Sequence, residues 1–152
     1  MTIGTDSAIH FFGTQDTLGT TTSAVTDTSF SDGTNDLTAW TNDDDAPEAS
    51  VILSATFSVA PDAGSSVSLI ARLVDIVSTD DQDVPDANFP HTFLGFFPIN
   101  DVTSEQFISI DVNLPNTKSS QVYHFYIQNN GGQTISAGWD LRITPRTIGP
   151  HA

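Results

Sequence analysis

Cysteine is absent from the 152 residues, and positive charge nearly so: Arg72, Lys118, Arg142 and Arg146 stand against 17 Asp and 2 Glu, a formal net charge of −15. Each absence excludes a class. Without Cys there is no disulfide framework, no thiolate metal site and no thiol nucleophile. Four cations cannot supply the phosphate contacts of a general nucleic-acid binder, so no nucleic-acid partner is expected. A surface this negative repels anionic membranes and keeps copies apart in solution. No run of about 18 apolar residues occurs, so no segment is expected to span a bilayer as a helix, and no membrane partner is expected. Residues 1–13 lack the basic start and long apolar run of a secretory signal.

Helical patterning is missing too. No segment carries apolar residues at i, i+3, i+4 and i+7 between caps. The length fits a single domain with a core that needs no staples. Residues 1–47 are rich in Thr, Ser, Gly and Asp, with scattered Ile9, Phe11, Phe12, Leu18, Val25, Phe30, Leu37 and Trp40. They read as an extended arm with one or two short strands, too apolar for a disordered tail. Residues 48–148 read as a β-sandwich domain of jelly-roll type.

Within that domain Val51, Leu53, Ala55, Phe57 and Val59 alternate with polar neighbours, the mark of a half-buried strand. Pro61-Asp62-Ala63-Gly64 is a turn, and Val67–Val77 is nearly continuously apolar. In Phe89–Ile99, Gly95 and Pro98 indicate an edge or bent strand. There, alternation puts Phe93 and Phe97 on one face with His91 and Ile99, and Phe96 on the other with Leu94. Ile108, Ile110, Val112 and Leu114 point inward, while Ser109, Asp111 and Asn113 point outward.

Asn129-Asn130-Gly131-Gly132 looks like a hairpin turn between strands Gln121–Gln128 and Gln133–Thr144. The resulting register sets Val122 against Trp139, Tyr126 against Ile135, and Tyr123 against Gly138. Val122, Tyr126, Ile135, Trp139, Leu141 and Ile143 then fill one face of the ribbon, and Tyr123, Phe125 and Ile127 the other. An isolated antiparallel sheet keeps one face wet, so a second layer is expected on each side: another sheet, the arm or a neighbouring subunit. The candidate interface residues are Phe11, Phe12 and Trp40 from the arm and Tyr123, Phe125 and Ile127 from the ribbon.

Candidate chemistry is sparse. Asp80, Asp81, Asp83 and Asp86 cluster in one loop, but without the spacing of an EF-hand, and a solvated acidic loop is the preferred reading. The Asp43-Asp44-Asp45 run is read the same way. A glycosidase would need two carboxyl groups about 5–10 Å apart in a cleft, drawn from Glu48, Glu105, Asp111 and Asp140. His10, His91, His124 and His151 offer no metal-binding spacing. Phe89, Phe93, Phe96, Phe97, Trp40 and Tyr123 are the candidates for a sugar-stacking platform. Arg72 and Arg142 are expected to pair with nearby acids such as Asp75 and Asp140. No catalytic, cofactor-binding or metal-binding residue is assigned, and the chain is read as a non-enzyme.

Three phrases carry a resemblance: Ala60–Leu73 (APDAGSSVSLIARL), Val84–Phe89 (VPDANF) and Gln133–Trp139 (QTISAGW). Over about residues 35–148 the chain resembles jelly-roll structural proteins of tailed-bacteriophage virions, especially capsid decoration or cement proteins. The resemblance transfers no functional residue. It implies a non-enzymatic protein on the outer capsid surface that bridges major capsid protein subunits, often as a homotrimer near a local three-fold. The rival expectation is a carbohydrate-binding or adhesin module of a phage tail or a secreted protein.

Overall fold

The computed structural model describes residues 8–19, 21–31, 36–89 and 92–150. Among them are nine strands and no helix. They are β1 (Ala8–Phe12), β2 (Asp16–Thr17), β3 (Trp40–Thr41), β4 (Glu48–Ala55), β5 (Ser66–Val74), β6 (Thr92–Pro98), β7 (Gln106–Asn113), β8 (Val122–Asn130) and β9 (Asp140–Pro150). One antiparallel sheet runs β1-β9-β4-β7, with β2 continuing β1 along the same edge of β9; the other runs β3-β8-β5-β6. Successive strands change sheets: β4 lies in the first, β5 and β6 in the second, β7 in the first, β8 in the second and β9 in the first. That path of crossings makes a β-sandwich of jelly-roll type.

Alternation explains the core. Val51 and Leu53 of β4, Leu141 and Ile143 of β9 and Val112 of β7 face Val67, Leu69 and Leu73 of β5, Tyr123, Phe125 and Ile127 of β8 and Phe97 of β6. Each such aliphatic or aromatic side chain contributes about 1.5–3 kcal/mol by leaving water. Trp40, Tyr123 and Phe125 cluster with ring centroids 5.7–6.2 Å apart.

The expected hairpin does not form. β8 pairs with β5 and β3, and β9 pairs with β4, β1 and β2. Residues 131–139 cross between the sheets instead. Ile135 is held midway by backbone bonds to Val25 at 2.9 and 3.0 Å, and Ser136 N–H donates to Thr56 O at 2.8 Å. The buried Asn129 side chain fixes the turn: its Nδ2 donates to Val25 O at 2.9 Å and Gln133 O at 2.7 Å, and its Oδ1 accepts from Gly131 N–H at 2.9 Å. The ribbon with two apolar faces is therefore corrected. Tyr123, Phe125 and Ile127 on one side, and Ile135, Trp139, Leu141 and Ile143 on the other, meet across one core. The sandwich's own second sheet supplies the missing layer.

The described part of segment 1–47 is integral to the roll. β1 and β2 edge the first sheet, β3 edges the second, and Leu18, Val25, Leu37 and Trp40 are core residues.

Candidate functional site

β6 ends one sheet and β7 ends the other, and the two close the same side of the sandwich. A Cβ at Gly95 of β6 would sit 3.2 Å from Ile110 Cδ1 of β7. A bulge shapes this side. Leu69 pairs with Gly95 but Ile70 pairs with Phe93, so Leu94 is the extra residue. The slip corrects the expected facing: Phe93 joins Phe96 on the outer face, while Phe97 and Ile99 point into the core. On β7, Phe107 lies in phase with Ser109, Asp111 and Asn113, all exposed. Phe93, Phe96 and Phe107 are 57–63% exposed.

The opposite side of the first sheet is also apolar. Phe11, Phe12 and Ile148 are 46–63% exposed. Phe11 and Phe12 line a shallow cleft of about 300 Å³ with Gly13, Asp44, Ala46, Pro145, Arg146 and Thr147. Each of two opposite edge regions of a strongly acidic sandwich thus carries three large exposed apolar side chains, with Phe107 on the outer face of the first sheet and Phe93 and Phe96 on that of the second.

Of the six expected interface residues, Phe11 and Phe12 are on this surface. Trp40, Tyr123, Phe125 and Ile127 are not; all four are at most 5% exposed inside the sandwich. Sequence reasoning missed Phe107 and Ile148 as surface residues. Phe107 was legible, because it falls in the polar phase of the Gln106–Leu114 alternation.

The first sheet's outer face carries an ion-pair cluster. In register, Phe12, Arg146, Glu48 and Asn113 lie side by side across β1, β9, β4 and β7. Arg146 Nε and Nη2 donate to Glu48 Oε2 at 3.0 and 2.8 Å, and its Nη1 donates to Asp111 Oδ2 at 2.8 Å. Ser50 Oγ donates to the other oxygen of Asp111 at 2.5 Å. The Ser50 hydroxyl, and then Arg146, hold the Asp111 carboxyl below its ordinary range. The same two carboxylates raise the Arg146 guanidinium.

Of the four carboxylates weighed for glycoside hydrolysis, two share a partner. Glu48 and Asp111 meet at Arg146. Glu105 accepts from Ser54 Oγ at 2.7 Å, and Ser54 is the cross-strand partner of Asp140. A general acid needs a carboxyl with a raised pKa. Asp111 is shifted the other way, so its pair with Glu48 serves to hold a guanidinium.

The remaining arginines are also engaged. Arg142 bonds to Asp140 at 2.9 Å, as expected. Arg72 bonds to Asp81 at 2.9 Å and to Gln82 O at 2.6 Å, rather than to Asp75. The loop acids turn onto their own chain: Asp81 also accepts from Asp75 N–H at 2.8 Å, and Asp86 accepts from the amides of Asn88 and Phe89 at 2.6 and 3.1 Å. Asp45 accepts from Ser119 Oγ and Ser120 N–H, each at 2.7 Å. Among the described residues, no three His, Asp or Glu side chains gather as a metal site. His10 is exposed on β1, His124 is half-buried on β8, and His91 and His151 lie outside the described residues.

Of the sugar-platform candidates, Trp40, Phe97 and Tyr123 are core, while Phe89, Phe93 and Phe96 are exposed. Both Trp and both Tyr are buried, and the indoles of Trp40 and Trp139 donate to Asp16 Oδ2 at 2.9 Å and Ser23 O at 2.8 Å. The exposed rings are all phenyls, which offer a stacking face and no hydrogen bond.

No protein-family model matches the sequence, and no curated protein matches it. The chain is similar to solved jelly-roll sandwiches. One is the C-terminal CBM6 of a laminarinase from Zobellia galactanivorans, 13% identical over 91% of this chain and 99% of that one, with a TM-score of 0.46. A second is a CBM35 from Cellvibrio japonicus, 12% identical over 96% and 99%, with a TM-score of 0.40. A third is a chain of turnip yellow mosaic virus, 11% identical over 98% and 82%, with a TM-score of 0.33. At these identities the likeness concerns fold alone.

Proposed function

We propose that this chain is a structural virion protein that decorates a bacteriophage capsid from its outer surface and stabilises it by bridging major capsid protein subunits. The observation that carries the reading is the pair of exposed apolar edges on opposite sides of an acidic sandwich: Phe11, Phe12 and Ile148 on one, Phe93, Phe96 and Phe107 on the other. Large exposed apolar side chains gathered in one region, unlike scattered single ones, mark interaction surfaces. Two such edges let one copy touch two neighbours at once, and many weak contacts on a lattice add through avidity. The acidic remainder keeps decorated particles dispersed. We retain the homotrimer as the proposed arrangement on the shell, where the capsid lattice rather than a buried ribbon face holds three copies around a local three-fold. The test is to heat particles lacking this protein beside intact ones. Intact particles are expected to open at the higher temperature, and equal stability overturns the reading.

A second reading is a carbohydrate-binding or adhesin module. Phe93 and Phe96 favour it, because they share one outer sheet face with the polar Ser68 between strands β6 and β8. The burial of every Trp and Tyr weighs against it. Binding on a glycan array that is lost in Phe96→Ala would establish this reading, and an array without hits removes it.

A further inference from the structure

The backbone of β7 is an open edge. Among the described residues β7 pairs only with β4. Leu114 N–H donates to Pro47 O at 2.9 Å, continuing the register in which Glu48 faces Asn113. In an antiparallel ladder, residues alternate between bonding the partner strand and pointing N–H and C=O away from it. Leu114 fixes the phase: Gln106, Ile108, Ile110 and Val112 bond β4, while Phe107, Ser109, Asp111 and Asn113 direct theirs outward. No hydrogen bond from those four outward backbone groups to another strand is found among the described residues.

Proteins blunt exposed edges with prolines, bulges, lysines or very short strands. Among the described residues, three of the other four edge strands follow that rule, β1 (AIHFF) being the exception. β6 has a bulge, Gly95 and Pro98, and β3 and β2 are two residues each. β7 has eight residues (QFISIDVN) with no Pro, Gly, Lys or bulge. It is left able to pair.

We propose that β7 accepts an extended segment of a partner protein as an added strand, and that this segment alternates apolar residues with Lys or Arg. The alternation follows from the two faces of the edge. On the inner face the half-buried Ile108 and Ile110 extend the core to the rim, and an apolar side chain on the added strand would cover them. On the outer face Asp111 of β7, and Glu105 just before the strand begins, present carboxylates. The nearby guanidinium of Arg146 is already shared between Asp111 and Glu48. A basic side chain on the added strand meets Asp111 or Glu105, which stand towards opposite ends of the edge. A second copy of the chain fits less well: it brings a further charge of −15, and its three arginines are already ion-paired. The inference deepens the capsid reading, on which it rests only for placing the segment in a capsid subunit.

The test is amide hydrogen exchange, resolved by residue, on the full chain. The probes are the blocked peptide Ac-Lys-Val-Lys-Val-Lys-Val-Lys-NH2 and its counterpart with Glu in place of Lys. An acidic protein attracts cations over its whole surface, so location is the readout. Exchange at the amides of Phe107, Ser109, Asp111 and Asn113 is expected to slow at least about tenfold with the Lys peptide and not with the Glu peptide. Ser109→Pro removes an outward N–H that bonds nothing in β4, and it is expected to abolish the protection while leaving the thermal midpoint unchanged. If that variant fails to fold, Ser109→Lys keeps the N–H and is expected to weaken binding at least about tenfold by like-charge repulsion. Unchanged exchange at the four amides, equal protection by both peptides, or a dimer in light scattering that Ser109→Pro dissolves would each overturn the proposal. Particle heating is a separate measurement, so failure of the edge and failure of the capsid role are told apart.

Discussion

The indole of Trp40 donates to the carboxylate of Asp16 at 2.9 Å, joining β3 of one sheet to β2 of the other. Both residues come from the segment that the sequence presents as an arm, and the bond ties that segment into both layers. Trp40→Phe keeps an aromatic ring in the core but deletes a hydrogen bond to a charged group. It is expected to cost about 1.5–3 kcal/mol in urea unfolding. An unchanged midpoint would mean that the tie contributes nothing.

Acid is expected to loosen the fold through Asp111 and Asp45. Asp111 is held below its ordinary value of 3.8 by Ser50 and Arg146, and Asp45 is held below 3.8 by the Ser119 hydroxyl and then the Ser120 amide. A carboxyl lowered in the folded state contributes stability that is complete above 3.8 and lost as pH falls through the folded value beneath it. Asp45 has φ +49°, a conformation that Asn tolerates. Asp45→Asn is therefore expected to make the thermal midpoint fall less steeply on acidification. An identical slope would contradict the assignment.

Alkali acts through Tyr123. Burial pushes its hydroxyl up from 10.0 to about 12, against a smaller lowering by the Asn42 side chain. The folded chain holds this proton more tightly than the unfolded one, so the contribution is complete below pH 10.0 and disappears as pH rises towards about 12. The hydroxyl also donates to Pro115 O at 3.1 Å and to Asn116. Tyr123→Phe is expected to lower stability at neutral pH and to flatten the alkaline limb of a urea-midpoint series. A limb that keeps its slope would place the titration elsewhere.

Two glycines separate two causes of strain. A Cβ at Gly13 would lie 2.6 Å from Pro145 Cγ and 2.7 Å from Asp44 Oδ2. Gly64 has φ +79° and open space around it. Gly13→Ala is expected to cost about 1–3 kcal/mol through overpacking, with faster amide exchange in β1 and β2. Gly64→Ala is expected to cost about 1 kcal/mol from backbone strain alone, without that local signature. Equal exchange in β1 and β2 for the two variants would refute the distinction.

Period-two alternation made β4 and β7 legible with their inward and outward faces, a nearly continuous apolar run marked β5, and the lack of helical patterning made the class legible. The turn at Asn129–Gly132 was equally visible, but a sheet-to-sheet crossing begins with the same turn chemistry as a hairpin. What decides between them is Ile135 bonding to Val25 and Asn129 reaching Val25 O, contacts about a hundred residues apart that leave no periodic trace. The bulge at Leu94 was hidden for the same reason, since one slipped pairing with β5 moves Phe93 to the opposite face. Of the residues named from the sequence as interface candidates, Phe11 and Phe12 are exposed. Phe107 was readable from its phase, and the Arg146 clamp depends on β4, β7 and β9 lying side by side.

The bridging role is tested most directly by rebinding to capsids stripped of the protein. Phe12→Ser and Phe107→Ser, one on each apolar edge, are expected to leave the unfolding midpoint unchanged, because both rings are 63% exposed. Each is expected to weaken rebinding at least about tenfold, and the double variant more than either. A double variant that loads onto capsids as tightly as the unaltered chain would contradict the proposal that these two edges hold the shell.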